Sequence, residues 1–474
     1  MIELTAEVVV AGAGPTGLML ANELALAGVD VVVLERLSAR SGLSKALNLQ
    51  PRTAEVLDLR GLLGRAEQRS FATVGEGHFA AIPVSYAGWD TRHPYQVGIP
   101  QGEVEATLEE RLVEQGVTVL RGHELTGFVQ DATGVTVTAD GARVRADYLV
   151  GCDGGRSAVR RGLGLSFDGV EGRGYGVVAD VVFRVAPAGV PEQWRSMRNI
   201  VASHGAGVFH TLIPLGPPGL YRLGYGDRLR RPADMRAKVT DDEIRQVVRE
   251  RYGEEVEIEE IRWASRFADD SRLAQRYRMG RVLLAGDAAH IHFAAGGQGL
   301  NLGLQDAMNL GWKLAAVLRG RAPAGQLDTY ESERRPVAAR VMDNVATQSA
   351  LIPTTAEQRA VRALVTELAT LPEVQHHLSG LVSGLDVRYP APPDAHPATG
   401  TRLPDFELEH GYASDLFHSG GFVLLTTEPA PAPHPEVTVA VVPRLPWPGV
   451  TRALIRPDGY VASTTGSTEG WIAA

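Results

Sequence analysis

The turn Gly12-Ala13-Gly14-Pro15-Thr16-Gly17 constrains this chain more than any other feature, because it joins an apolar strand to a helix. Val8-Val9-Val10-Ala11 precedes it, an apolar helical stretch over 18–27 follows, and Val31-Val32-Val33-Leu34-Glu35 reads as a second strand. Residues 7–36 thus predict a βαβ unit. Each glycine answers a geometric need there. Gly12 permits the tight turn, Gly14 lets a pyrophosphate approach the backbone, and Gly17 lets the helix pack closely on the sheet. Pro15 and Thr16 lie in the turn that leads into the helix, whose free N–H groups and partial positive charge suit phosphates. Glu35 ends the second strand about 20 residues on, where a carboxylate accepts hydrogen bonds from a ribose 2′-OH, and Arg36 follows it. The pattern predicts an adenine dinucleotide site without separating FAD from NAD.

A second constellation lies far downstream. The short apolar strand Val282-Leu283-Leu284-Ala285 leads into Gly286-Asp287-Ala288-Ala289-His290, and Gly296-Gly297-Gln298-Gly299-Leu300-Asn301 then opens a helix whose apolar spacing is clear over 304–318. An acid at a strand end can hold sugar-like hydroxyls, and glycines at a helix start let a planar ligand rest on the backbone. The helix N-terminus would stabilise negative charge on a reduced flavin by about 0.3–2 kcal/mol. Between the two constellations, residues 175–265 alternate with a period of two and are cut by Pro and Gly turns, which predicts a largely antiparallel sheet. An α/β unit that stops, yields to such a sheet and then resumes is a discontinuous domain with an insertion.

At 474 residues the chain exceeds what one core can serve, and two or three domains are expected. Its 47 basic and 56 acidic residues are scattered rather than run together, so no nucleic-acid surface is expected. Cys152 is the one cysteine, which excludes an internal disulfide, a Cys-based zinc site and a two-cysteine redox motif, and no metal is expected. The N-terminus lacks a secretion leader and no apolar run approaches the roughly 18 residues of a membrane span, so a cytoplasmic protein is expected.

Three motifs now stand in order: the first turn with Glu35, then Cys152-Asp153-Gly154-Gly155-Arg156-Ser157-Ala158-Val159-Arg160, then Gly286-Asp287 with its glycine-rich sequel. With them the chain resembles the FAD-dependent aromatic hydroxylases, the single-component flavoprotein monooxygenases related to para-hydroxybenzoate hydroxylase, over most of residues 5–345. Asp90-Thr91-Arg92-His93-Pro94-Tyr95 and Leu385-Asp386-Val387-Arg388-Tyr389-Pro390 carry a likeness to hydroxylases of aromatic polyketides and antibiotics. The resemblance implies a Rossmann-like FAD-binding domain over 1–174, with strands near 75–100 belonging to the substrate domain, and a substrate domain over 175–265. It further implies the rest of the FAD-binding domain with long helices over 266–388, and a thioredoxin-like C-terminal domain over 395–474. That last domain holds no cysteine, so its role would be structural or interfacial.

Residue by residue, the resemblance implies that Glu35 binds the adenosine ribose, that Lys45 and Gln101 reach the ribityl-phosphate and flavin region, and that Asp287 binds ribityl hydroxyls. Asp153 falls in a motif associated with both FAD and the nicotinamide cofactor, while Gly297, Gly299, Leu300 and Asn301 would face the flavin. Two departures stand out. Lys45 replaces a usual Arg, a point charge for a fork. Phe293-Ala294-Ala295 stands where Pro is common, which predicts a looser loop.

The implied activity is FAD-dependent, with FAD held tightly but not covalently and NADPH or NADH bound transiently. One atom of O₂ would pass through a flavin C4a-hydroperoxide to an aromatic polyketide or similar polycyclic phenol. Baeyer–Villiger insertion, epoxidation and antibiotic inactivation are the alternatives, with a dehydrogenase or a non-catalytic FAD or polyketide binder as the rivals outside the class. Such chemistry needs a dry pocket at the sheet–flavin junction, for which Phe79, Phe209, His210, Leu212, Tyr225 and Phe293 are the expected wall. No protein acid or base is assigned: His290 and His292 read as hydrogen-bonded structural residues, and Trp312 and Met308 as core. Lys313 reads as a solvated or capping charge, and Arg156, Arg160 and Arg161 as either surface or phosphate contacts. A homodimer is compatible with the sequence, which leaves the oligomeric state open.

Overall fold

The computed structural model describes residues 2–196, 201–205, 207–293, 295–465, 467 and 471. Its centre is a six-stranded sheet in which the strands Val282–Leu284, Tyr148–Gly151, Val8–Ala11, Val31–Glu35 and Val119–Arg121 run parallel in that spatial order, with Arg278–Met279 antiparallel at one edge. Val8, Val9 and Val10 are fully buried, as expected of a β-branched run covered on both faces. The sheet therefore joins residues from the first 150 positions to a strand beyond 280, which gives the discontinuity its physical form.

The helix Pro15–Leu26 starts with Pro at its first turn, where no N–H is missed, and Gly14 as its N-cap. It packs along Gln298–Leu318, and the two backbones approach so closely that a Cβ at Gly311 would overlap the Glu23 side chain. That second helix begins at Gln298, inside the glycine cluster expected to open it, because Gly296 and Gly297 both take positive φ and turn the chain directly into it.

The inserted sheet has five antiparallel strands, in the order Val201–Gly205, Val208–Pro214, Leu220–Asp227, Tyr175–Val185 and Glu257–Ala268. The helix Asp241–Tyr252, capped by Thr240, covers one face, burying Ile244 and Val248 against Val177, Ala179, Val181, Leu212, Leu223 and Tyr225. The strands near 75–100 do not join this sheet. Glu76–Phe79 pairs with Ile82–Ser85, and Gln96–Gly98 pairs with Asn48–Leu49 and Ala72–Val74.

Beyond the long helix Asp328–Ala350, the C-terminal strands lie in the order Val437–Val441, Phe422–Thr426, Arg452–Ile455 and Val461–Ser463, the first pair parallel and the others antiparallel. Lys313, expected to be solvated, is fully buried at the joint with these strands. It donates to Glu333 Oε2 (2.7 Å) and Asn309 Oδ1 (2.9 Å), and Arg456 donates to both Glu333 oxygens. Among the described residues no helix is long and apolar enough to cross a membrane.

Candidate active site

The first turn has the geometry that its glycines predict. Gly12 takes φ +105° and a Cβ there would overlap the Cys152 carbonyl oxygen, while a Cβ at Gly17 would overlap the carbonyl oxygen of Gly12. Gly14 differs. Nothing lies within 4 Å of where its Cβ would be, and no side chain caps the helix it opens. The close contacts fix the turn, and the side at Gly14 stays open. Glu35 spans the turn, accepting hydrogen bonds from Ala13 N and Leu37 N at 2.9 Å each, with Arg36 exposed beside it.

Asp153 follows the neighbouring strand. Its Oδ2 accepts from Ala158 N (2.6 Å) and Val159 N (3.1 Å), whereas Oδ1 is buried with no hydrogen-bond partner. A buried carboxylate oxygen without a donor is costly and marks a position where a ligand hydroxyl or N–H would be welcome. Arg160 is committed internally, donating to Ala288 O and Gly155 O and covering the Phe167 ring, while Arg156 and Arg161 stay exposed.

The third motif folds onto the first through Thr16. Its Oγ1 lies 2.5 Å from where a Cβ of Gly286 would be and fills the place of one at Gly303, so only glycines admit it. The sequence reading passed over Gly303, which stands one residue before Leu304 in an apolar helix; its signal was a glycine in the second turn of a helix. Asp287 is exposed between buried Gly286 and Ala288, leaving its carboxylate open to solvent. The loop beneath it is held by Asp306, which accepts from Gly286 N (3.2 Å), is hydrogen-bonded to His290 Nε2 (2.6 Å) and accepts from Arg334 Nε (2.8 Å). Burial pushes the Asp306 carboxyl up, but the His290 ring and the Arg334 guanidinium outweigh it and hold the group below the usual carboxylate range.

At the glycine cluster, Gly297 is the N-cap of the long helix with φ +64° and no side-chain cap. Asn301 does not offer its side chain to a ligand. It accepts from Gln50 N (2.7 Å) and donates to Asn48 O and Gly297 O, so it anchors the cluster to the segment before the helix Pro51–Asp58. Gly299 and Leu300 remain half-buried on the helix's first turn. His292 is more than structural padding: Nδ1 lies 2.8 Å from the Phe293 carbonyl, so it carries the proton, and Nε2 is a buried acceptor with no partner. Burial pushes its pKa down, which keeps the ring neutral. Ala294 lies outside the described residues.

Lys45 is exposed on the loop before Asn48, and Gln101 bonds that loop, accepting from Ala46 N (3.3 Å) and donating to Glu105 Oε1 (2.9 Å). The inserted sheet approaches the same loop: Arg222, paired with buried Asp180, donates to Lys45 O (3.3 Å), and Val182, Ile213 and Leu220 pack with Leu47. Phe267 of the sheet meets Phe293, ring centroids 6.3 Å apart.

These contacts define which sheet face looks toward the cleft, and they correct the expected wall. Phe209 shares that face and Phe293 sits opposite it, but His210, Leu212 and Tyr225 point the other way, toward the helix Asp241–Tyr252. His210 bonds Tyr252, and the Tyr225 hydroxyl donates to Glu243. Phe79 packs instead with Val84, Leu378 and Val382 in a small separate core. Elsewhere, Asp58, His93 and Asp405 gather their donor atoms within 4.8 Å of one another, but Arg92 is ion-paired to both carboxylates and supplies the positive charge there.

Comparison with known proteins shows the family. Residues 5–345 match the model of the FAD binding domain family and residues 396–472 that of the aromatic-ring hydroxylase C-terminal family. The chain is 44% identical to anhydrotetracycline monooxygenase of Streptomyces rimosus, covering 98% of this chain and 96% of that one. It is 40% identical to rifampicin monooxygenase of Streptomyces venezuelae, covering 96% and 94%. The solved structure of anhydrotetracycline hydroxylase from Streptomyces rimosus superposes with a TM-score of 0.87 at 42% identity, over 99% of this chain and 98% of that one.

Proposed function

The chain belongs to the FAD-binding aromatic-ring hydroxylases and is a flavin-dependent monooxygenase, and on that premise we propose that it hydroxylates an aromatic polyketide or similar polycyclic phenol, with NAD(P)H as a transient reductant. The convergence of Thr16 on Gly286 and Gly303 is the observation that carries the cofactor reading. It sets a phosphate-type turn and a ribityl-type acid against one cleft, a span suited to a dinucleotide with a long linker. The residues fit FAD: Gly14 leaves its side open, Asp153 Oδ1 and His292 Nε2 lack partners, and Asp287 is exposed.

In this reading Gly12, Gly14, Pro15, Thr16 and Gly17 bind the pyrophosphate, Glu35 and Arg36 the adenosine end, and Asp287 the ribityl chain. Gly297, Gly299 and Leu300 present the N-terminus of the long helix to the flavin, with Asn301 holding that cluster in shape. FAD, when bound, supplies electron transfer and oxygen activation. The protein excludes water, orients the ring and offers His292 Nε2 as a neutral acceptor. Arg156 and Arg161 remain candidates for contact with the reductant's phosphates. The division into a Rossmann-like domain, an inserted substrate domain and a thioredoxin-like tail is supported by the parallel central sheet and by the tail's mixed strand order.

Incubating the FAD-loaded protein with a panel of polycyclic phenols, NADPH and ¹⁸O₂ tests the reading. A product carrying one labelled oxygen on a ring carbon is expected. Reductant consumption that yields only peroxide across the panel would overturn the substrate class, and a ring-expanded lactone would make Baeyer–Villiger insertion the reaction.

A further inference from the structure

On the sheet face turned toward Lys45 and Phe293, aromatic rings lie directly on glycines. Register pairing aligns Gly176, Gly226, Phe209 and Phe267 in one row across four strands. The Phe267 ring lies where a side chain at Gly176 would stand: a Cβ there would overlap Cζ and come within 2.7 Å of Cε2. The Phe209 ring lies likewise over Gly226, 2.8 Å from the place of its Cβ. The next row inward is Thr211, Gly224, Val178 and Ser265, all small, and the row after it holds Asp180, Arg222 and Trp263, joined by the Trp263 Nε1 hydrogen bond to Asp180 Oδ2 (2.8 Å). Both outer rows touch the cofactor unit, through Phe293 on one side and the Lys45 carbonyl on the other.

We propose that Gly176 and Phe267 determine substrate specificity by keeping a long, low slot open along this face for a flat, fused-ring ligand. The proposal rests on the hydroxylase reading above and adds the residues that set ligand shape. With its ring pressed onto Gly176, Phe267 offers an aromatic surface for stacking, and Thr211, Val178 and Ser265 of the middle row stay part-exposed. A side chain at 176 would force the ring up off the sheet toward Phe293, shortening the slot. A single-ring phenol needs only part of that length and would barely notice. The three atoms nearest the place of a Gly176 Cβ belong to the Phe267 ring, so a ring movement relieves the closest contacts, whereas at Gly226 the nearest is the backbone carbonyl oxygen of Tyr175.

The test measures ligand binding, not turnover. Anhydrotetracycline, a fused-ring phenol, and p-nitrophenol, a single-ring one, are titrated by absorbance into FAD-loaded wild type, Gly176→Ala, Phe267→Leu and the double variant, with FAD content read at 450 nm. Gly176→Ala should retain FAD, bind the fused-ring probe about tenfold more weakly and leave the single-ring probe within about twofold. Phe267→Leu should weaken the fused-ring probe about threefold by loss of the ring. The double variant should bind it better than Gly176→Ala alone, because leucine yields to the new methyl. Unchanged affinity in Gly176→Ala, equal losses for both probes or no recovery in the double variant would each overturn the slot. If Gly176→Ala does not fold, equal affinity of Phe267→Leu and wild type for the fused-ring probe overturns it. If wild type binds the single-ring probe alone, the polycyclic-substrate reading itself falls, and the slot with it.

Discussion

Gly14 and Gly17 sit three positions apart in one turn, yet substituting them should have opposite consequences. A methyl at Gly17 meets the backbone carbonyl of Gly12, which no side-chain rotation can clear. Gly17→Ala should therefore cost about 3 kcal/mol or more and yield little soluble protein. A methyl at Gly14 meets nothing within 4 Å, so Gly14→Ala should keep the wild-type melting temperature while FAD affinity falls about tenfold, because the backbone can no longer approach the pyrophosphate. Melting curves with and without added FAD separate the two. Asp287 makes the same kind of case. Its exposed carboxylate anchors no element, so Asp287→Ala should weaken FAD by about 10- to 100-fold with an unchanged far-ultraviolet spectrum. Stoichiometric yellow protein after purification would contradict its role. The shape of the turn from Gly12 to Gly17 was legible in the sequence because it follows from a strand handing over to a helix. Gly303 was not, since its partner Thr16 belongs to another part of the chain.

At the scale of strands and helices, alternation told which residues share a face but not which face is covered. The expected wall set Phe209 beside His210, Leu212 and Tyr225 although neighbouring strand residues face opposite ways, and the helix Asp241–Tyr252, later in the chain, covers the last three and leaves Phe209 and Phe267 on the other face. Lys313 was misjudged for a related reason. Its carboxylate partner Glu333 is 20 residues away, and Glu333 meets Arg456 across 123 residues. Burial pushes Lys313 down to about 8, whereas Arg456 and Lys313 overcome the burial of Glu333 and hold it down to about 2, against an ordinary 4.5. A carboxylate depressed in the folded state adds stability above its unfolded pKa and loses it as pH falls through the folded one. The joint should thus weaken between pH 4.5 and about 2, by about 3 kcal/mol at most. Glu333→Gln takes the carboxylate from buried Lys313 and leaves Arg456 with Asp458, so it should destabilise by about 3 kcal/mol at pH 7 and flatten the acid limb of the melting-temperature profile relative to wild type. A variant with the wild-type acid slope would show that other carboxylates govern it.

For the molecule as a whole, the question is whether the C-terminal strands are an appendage or part of the machine. On the sequence, residues 395–474 read as a separate domain after the linker-like Tyr389-Pro390-Ala391-Pro392-Pro393, so ending the chain after Pro390 should leave the flavin site intact while harming solubility or assembly. The packing argues otherwise. Phe417, Val423, Leu425, Ala453, Ile455 and Val461 belong to the same continuous core as Val8, Leu18 and Leu310. Arg60, bound to Glu23 of the first helix, also donates to Phe417 O and Pro457 O, and Arg52 donates to Asp458 O. Ending the chain at Pro390 would open that core and remove Arg456 and Asp458 from Glu333 and Lys313. It would do so along the helix Gln298–Leu318, which carries Lys313 and packs against the first helix. The truncated chain should therefore aggregate or be recovered without FAD, in contrast to the simple loss of an interface. Supplying residues 391–474 as a separate polypeptide during refolding should restore some yellow, 450 nm-absorbing protein if docking alone is needed. A truncated chain that is soluble, monomeric and fully loaded with FAD would show that the tail is an appendage, and that the cofactor helix is held by the first helix and the central sheet without it.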